Sequence, residues 1–200
     1  MRVMGVDPGL ARCGVVIVDG DGGRASLAAQ HLIRTSSDRA AGQRLIEVSD
    51  SVTELLALWT PDVLAIERLL FNANARTAMT VAHAVGVILL AAARAGVEVV
   101  DYTPTQVKAT VTGYGDAEKA QVKYLITAQL RLESAPSSVD VSDAAAVALC
   151  HLWRANRTAH AGGDDAHSSR LAAALAQAGP GAQVVQPART KQRRDPGRDS

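Results

Sequence analysis

An α/β fold with a five-stranded mixed sheet and helices on both faces is predicted by three observations. The first 35 residues read as three strands joined by tight turns. Helical and strand periods then alternate along the chain. Two apolar runs end abruptly in a carboxylate: Val3-Met4-Gly5-Val6 in Asp7, and Val63-Leu64-Ala65-Ile66 in Glu67. In chain order, residues 3–7 form a first strand and Pro8-Gly9 a turn. Residues 13–19 form a second strand, closed by the turn cluster at 20–23, and residues 26–35 complete an antiparallel meander. From residue 40 to Trp59 the period is helical, with Leu45, Val48, Val52, Leu55, Leu56 and Trp59 near one face. Pro61-Asp62 breaks that helix. Residues 63–67 are continuously apolar, as suits a strand buried on both faces. A helix over 76–95 ends at Gly96, an expected left-handed cap. Residues 98–102 form a fifth strand. Thr103 and Pro104 take the N-cap and N1 positions of a short helix to about residue 111. Beyond the loop Gly113-Tyr114-Gly115, helices are expected over 117–132 and 140–153.

This order, β-β-β-α-β-α-β-α-α-α, is the layout of the ribonuclease H-like fold. It sets Asp7 and Glu67 at adjacent strand ends. Asp140 and Asp143, three apart at the start of an alanine-rich helix, share one helix face. A helix packed over those strand ends brings four carboxylates together. Desolvating a carboxylate at the end of an apolar strand is costly, so two such residues point to a use for the charge. Like charges that close require a counter-charge, commonly a divalent metal. Oxygen-only ligands favour magnesium or manganese over zinc. That donor set is the one used in two-metal phosphodiester hydrolysis. The readings that compete residue by residue are a turn at Asp7-Pro8-Gly9, a snorkelling edge Glu67, and an N-cap role for Asp140 with Asp143 in the first turn.

Bulk composition bounds the rest. The 200 residues, 48% of them hydrophobic, suit one domain over 1–155 with a core, followed by a low-complexity tail over 156–200. Residues 1–180 carry a net charge of −2 and residues 181–200 a net of +3. The body is not a basic protein, so any nucleic-acid contact must come from a local patch. Lys108, Lys119 and Lys123, with Arg68 and Arg76, could supply one, and Phe71 and Tyr114 are loop aromatics able to stack on unpaired bases. Each also has a plainer reading as a solvated face or as loop packing. Cys13 and Cys150 fit no metal or redox spacing. The tract His160 to His167 matches no common metal site. The apolar run 84–93 is too short to cross a bilayer and the N-terminus has no signal-peptide layout, so a cytoplasmic protein without a membrane partner is expected.

Four segments carry a closer resemblance: MGVDPGLARCGVVIVD (4–19), AIERLLFNANARTAMTVAHAVGV (65–87), YTPTQVKATVTGYGDAEKAQV (102–122) and VDVSDAAAVALCHLW (139–153). Together they resemble the RuvC-type Holliday junction resolvases, or crossover junction endodeoxyribonucleases. The resemblance implies that Asp7, Glu67, Asp140 and Asp143 are catalytic carboxylates binding two magnesium ions per site, with manganese able to substitute. It implies DNA contacts from Lys108 and Lys119. It also implies a homodimer nicking two opposed strands of a four-way junction, to leave 5′-phosphate and 3′-hydroxyl ends. A branch-migration complex of RuvA and RuvB type would be a partner. The helix from Arg76 would supply much of the dimer interface through Val81, Val85, Ile88 and Leu89. Where the family often carries an aromatic three residues beyond the glutamate, this chain has Leu70, with Phe71 one further on. The alternatives are a junction-binding protein without nuclease activity, and a ribonuclease H-like nuclease with another substrate.

Overall fold

Period-two alternation in five short strands gives the sheet two apolar faces, and each face is covered by helices. The computed structural model describes residues 1–21, 23–68 and 75–159, without the side chains of 75–77 and 156–159. Its strands are β1 (Arg2–Asp7), β2 (Arg12–Asp21), β3 (Arg24–Arg34), β4 (Val63–Glu67) and β5 (Glu98–Tyr102). Its helices are α1 (Ala41–Trp59), α2 (Ala75–Arg94), α3 (Pro104–Thr112), α4 (Lys119–Gln129) and α5 (Val139–Ala159). The sheet order is β3-β2-β1-β4-β5. The β1–β2–β3 meander is antiparallel, and β1–β4 and β4–β5 are parallel. The mixed sheet expected from the sequence is present.

Alternation decides which side chains meet which helices. Met4, Val6, Val15, Ile17, Leu64 and Ile66 point to one face and pack with Val48, Val52, Leu56 of α1 and Ala84, Ile88 of α2. Val3, Val16, Val18 and Ala65 point to the other face, under α3, α4 and α5. The helix on this second face sits close to the sheet because two positions on it lack a side chain. A Cβ on Gly5 would meet the Ala144 carbonyl and the Ala148 methyl, and one on Gly14 would meet the backbone of Asp140 and Val141. The alanines Ala144, Ala145 and Ala148 complete that close fit. Such an approach brings the backbone of α5 to β1 and β2 with no room for anything larger than hydrogen.

Several boundaries differ from expectation for local reasons. The fourth helix starts at Lys119, because Glu118 caps it reciprocally with Gln121. It ends at Gln129, with Arg131 taking a left-handed φ of 53°. Ser138 Oγ accepts the Val141 N–H at 3.2 Å, which starts α5 at Val139 and leaves Asp140 inside the first turn, not at the cap. The same helix continues to Ala159, beyond the boundary expected at 155. At α3 the expected cap holds: Thr103 accepts from Gln106 N–H, and Gln106 answers through the Thr103 N–H. Leu70, Phe71 and the chain from residue 160, including His160 to His167, lie outside the described residues.

Candidate active site and its family

Register places the two strand-end carboxylates level with each other. Val6 pairs with Ile66, so Asp7 and Glu67 follow side by side at the carboxyl ends of β1 and β4. Asp7 has the parity of Val3 and Gly5, and Glu67 that of Ala65, so both project on the α5 face. On β2 the partner of Asp7 is Gly14, the residue that lets the first turn of α5 settle next to it. Asp140 and Asp143 stand on that turn. A side chain at 14 would push both away.

The charges register this crowding. Asp7 is pushed up to about 7, first by burial and then by Asp143, Glu67 and Asp140. Glu67 is raised by burial and by Asp143, against the pull of Lys119 and Lys108. Asp143 is raised by burial and by Asp140, against Lys119. Burial of Cys13, one residue from Gly14, pushes its thiol up to about 12, with Asp7 and Asp140 adding to the rise. Two cations answer the four acids directly. Arg12 reaches Asp140 Oδ2 with its terminal nitrogen at 2.6 Å and its Nε at 2.9 Å. Lys119 Nζ lies 3.6 Å from Asp143 Oδ2. Among the described residues no group of three or more His, Cys, Asp or Glu side chains is gathered closely enough to hold a metal ion. The donor set nevertheless suits a hard divalent cation. It is all carboxylate oxygen, it is half-buried, and Asp7, Glu67 and Asp143 have protonation equilibria raised by burial first and by neighbouring acids second.

The basic residues divide. Lys119 opens α4 beside Asp143 and is largely exposed. Lys108, half-buried on α3, is near enough to Glu67 to lower its pKa. Arg76 stands in the first turn of α2, and its side chain lies outside the described residues. Tyr114 is not the exposed loop aromatic expected. Its ring packs beside the core, and its hydroxyl donates to Gln121 Oε1 at 2.8 Å. Ile88, expected on an interface, is fully buried between α2 and the sheet, because it falls on the core-facing side with Ala84 and Ala91. Among the described side chains of α2, the large apolar residues that are exposed are Met79, Leu89 and Leu90. Sequence reasoning missed Arg12. Its one signal was position, two residues before the glycine that underlies Asp140.

A sequence profile for the family described as crossover junction endodeoxyribonuclease RuvC matches residues 3–151, every element from β1 to the body of α5. The chain belongs to the RuvC family. As a RuvC it is an endodeoxyribonuclease, a hydrolase acting on DNA. It is 49% identical over 156 residues to the RuvC of Rhodococcus jostii, covering 78% of this chain and 82% of that one. The RuvC of Mycobacterium tuberculosis is equally similar, at 49% over 156 residues, covering 78% and 83%. Among solved structures, Thermus thermophilus RuvC in complex with a Holliday junction substrate superposes with a TM-score of 0.76 at 33% identity. That match covers 79% of this chain and 96% of the Thermus chain. The yeast mitochondrial Holliday junction resolvase Ydc2, with a TM-score of 0.57 and 13% identity, shares the fold. No helix among the described residues is long and apolar enough to cross a membrane.

Proposed function

We propose that Asp7, Glu67, Asp140 and Asp143 form the hydrolytic centre with which this chain resolves four-way junctions, cutting two opposed strands symmetrically. The observation that carries the reading is the convergence of four carboxylates from three separate elements, with Asp7 pushed up to about 7. Strongly perturbed carboxylates gathered in one place mark a functional site, and a positively charged ligand there relieves their repulsion. Two magnesium ions, with manganese able to substitute, are the proposed ligands. Divalent cations bound there supply Lewis-acid activation of water and of the scissile phosphate. Asp7, Glu67, Asp140 and Asp143 would hold the ions, with Asp7 lying between Glu67 and the α5 turn. Lys119 reaches the same edge from α4 and offsets charge that grows on the phosphate during in-line attack. Lys108 supports it from α3. The products are 5′-phosphate and 3′-hydroxyl ends.

Two opposed cuts call for two centres, and the proposed assembly is a homodimer. Met79, Leu89 and Leu90, exposed on α2, give it an apolar surface. Phe71, Arg76 in the first turn of α2, and Tyr114 remain proposed DNA contacts. A branch-migration complex of RuvA and RuvB type is the proposed partner and the cytoplasm the proposed location. The test is incision of a synthetic mobile junction in magnesium, with duplex and RNA/DNA hybrid controls. Paired nicks by the wild type and none by Asp7→Asn, with junction binding retained or tighter, are expected. Near-normal cutting by Asp7→Asn would refute the assignment. Binding without nicks under both magnesium and manganese would favour a junction-binding role.

A further inference from the structure

Arg12 is the first residue of β2, two residues before Gly14, and its guanidinium closes over the start of α5. Both Nε and a terminal nitrogen converge on the same oxygen, Asp140 Oδ2, at 2.9 and 2.6 Å. Lys119 opposes the rise at Asp7, Glu67 and Asp143, with Lys108 adding at Glu67, and Arg12 does not act on these three. Lys119 and Arg12 therefore have separate duties, and Arg12 attends Asp140. We infer that Arg12 is a positioning residue that occupies Asp140 as a resident counter-cation, is exchanged when a divalent ion arrives, and so sets the metal affinity of the centre. This rests on the reading of Asp140 as a metal ligand.

Three physical features support the exchange. A guanidinium keeps its charge at any pH the protein survives, so its competition with metal is permanent. Its side chain is about half exposed, 49%, so water takes over when it leaves, and a pair with an exposed partner is weak enough to be replaced. The pair also keeps Asp140 compensated, as Lys119 does for Asp143, which limits the repulsion that the folded chain carries without metal. An arginine that stayed in place would put a full positive charge against an incoming divalent ion.

The experiment is a magnesium titration of the full chain without DNA, read by calorimetry and by the melting temperature. Wild type is compared with Arg12→Gln, Arg12→Lys, Asp140→Asn and the Arg12→Gln/Asp140→Asn double variant. Arg12→Gln is expected to shift the magnesium midpoint about three- to ten-fold lower, as loss of one exposed opposing charge implies. Arg12→Lys, which keeps the charge, is expected within about two-fold of wild type. On the Asp140→Asn background Arg12→Gln should change nothing, since the two act as one unit. A midpoint for Arg12→Gln equal to or weaker than wild type overturns the inference. So does a lower melting point in EDTA with no change of midpoint, which would make Arg12 purely structural. If wild type and Asp140→Asn take up magnesium alike, it is the reading of Asp140 as a ligand that fails, and the inference falls with it.

Discussion

Gly14→Ala is the most economical test of how the centre is built. The new methyl group meets the carbonyl of Asp140 and the nitrogen of Val141, all backbone of the first turn of α5. Backbone cannot rotate aside as a side chain can, so the helix start must lift from β2. Restoring ordinary contact requires a movement on the order of 1 Å. Overpacking of this kind costs about 1–3 kcal/mol of stability, so the fold should survive. The same movement carries Asp140 and Asp143 away from Asp7 and Glu67. A misplacement of about 1 Å in a catalytic constellation costs on the order of 100-fold in rate. Junction incision under single-turnover conditions, with binding measured by gel shift, separates the two effects. Cleavage should fall about 100-fold while the junction dissociation constant changes only a few-fold. Gly42→Ala is the control: a Cβ there meets nothing within 4 Å, and alanine in place of glycine within α1 should gain about 0.5–1 kcal/mol. If Gly14→Ala cut within about three-fold of wild type, the close approach of α5 would not be what assembles the carboxylates.

Asp7→Asn should stabilise the metal-free chain, and more so at pH 8 than at pH 5. The folded-state pKa, about 7, lies above the ordinary 3.8, so the wild-type group loses stability as pH rises from about 4 through 7. The difference between the two pH values should be about 2–3 kcal/mol at most, read from melting curves in EDTA, and a pH-independent difference would contradict the burial of that charge. Lys119→Ala should slow cleavage by about 10- to 100-fold with a smaller loss of binding, because its amino group faces Asp143 at the centre; equal losses in both would make it a binding residue alone. Leu90→Glu should convert a dimer to a monomer with melting temperature little changed, since Leu90 is 48% exposed on the isolated chain, and sedimentation velocity reads the outcome. A variant that still sediments as a dimer would move the interface off α2.

Much of the fold was legible because its strongest signals are local. The β4 and β5 strands fall where their apolar runs predict, bounded by Pro61-Asp62 before and Thr103-Pro104 after. Gly96, with φ of 69°, ends α2 as its position announced. The first ends to be misjudged were those of α4, where glutamate is an uncommon cap and the deciding hydrogen bonds run through Gln121. The length of α5 was underestimated because Ala155 and its neighbours lack a hydrophobic period, although the helix is already held by Leu149, Leu152 and Trp153. Tyr114 illustrates a different limit. A loop position says nothing of which way a ring turns, and here Gln121 and the neighbouring core take it. At the centre, alternation and i, i+3 spacing placed the acids, but cations arriving from distant sequence were harder to read. Arg12 and Asp140 are 128 residues apart, and nothing in either segment names the other.

That separation bears on how the enzyme comes into being. Asp7 closes the first strand, whereas Asp140 and Asp143 belong to the last described helix, which follows every described strand. During synthesis the amino-terminal meander and its neighbours emerge with only two of the four acids. The centre can form only after α5 has been made and has settled into the trough over Gly5 and Gly14. A chain that stops before α5, or in which α5 has not yet settled, therefore does not assemble the four carboxylates of the proposed centre.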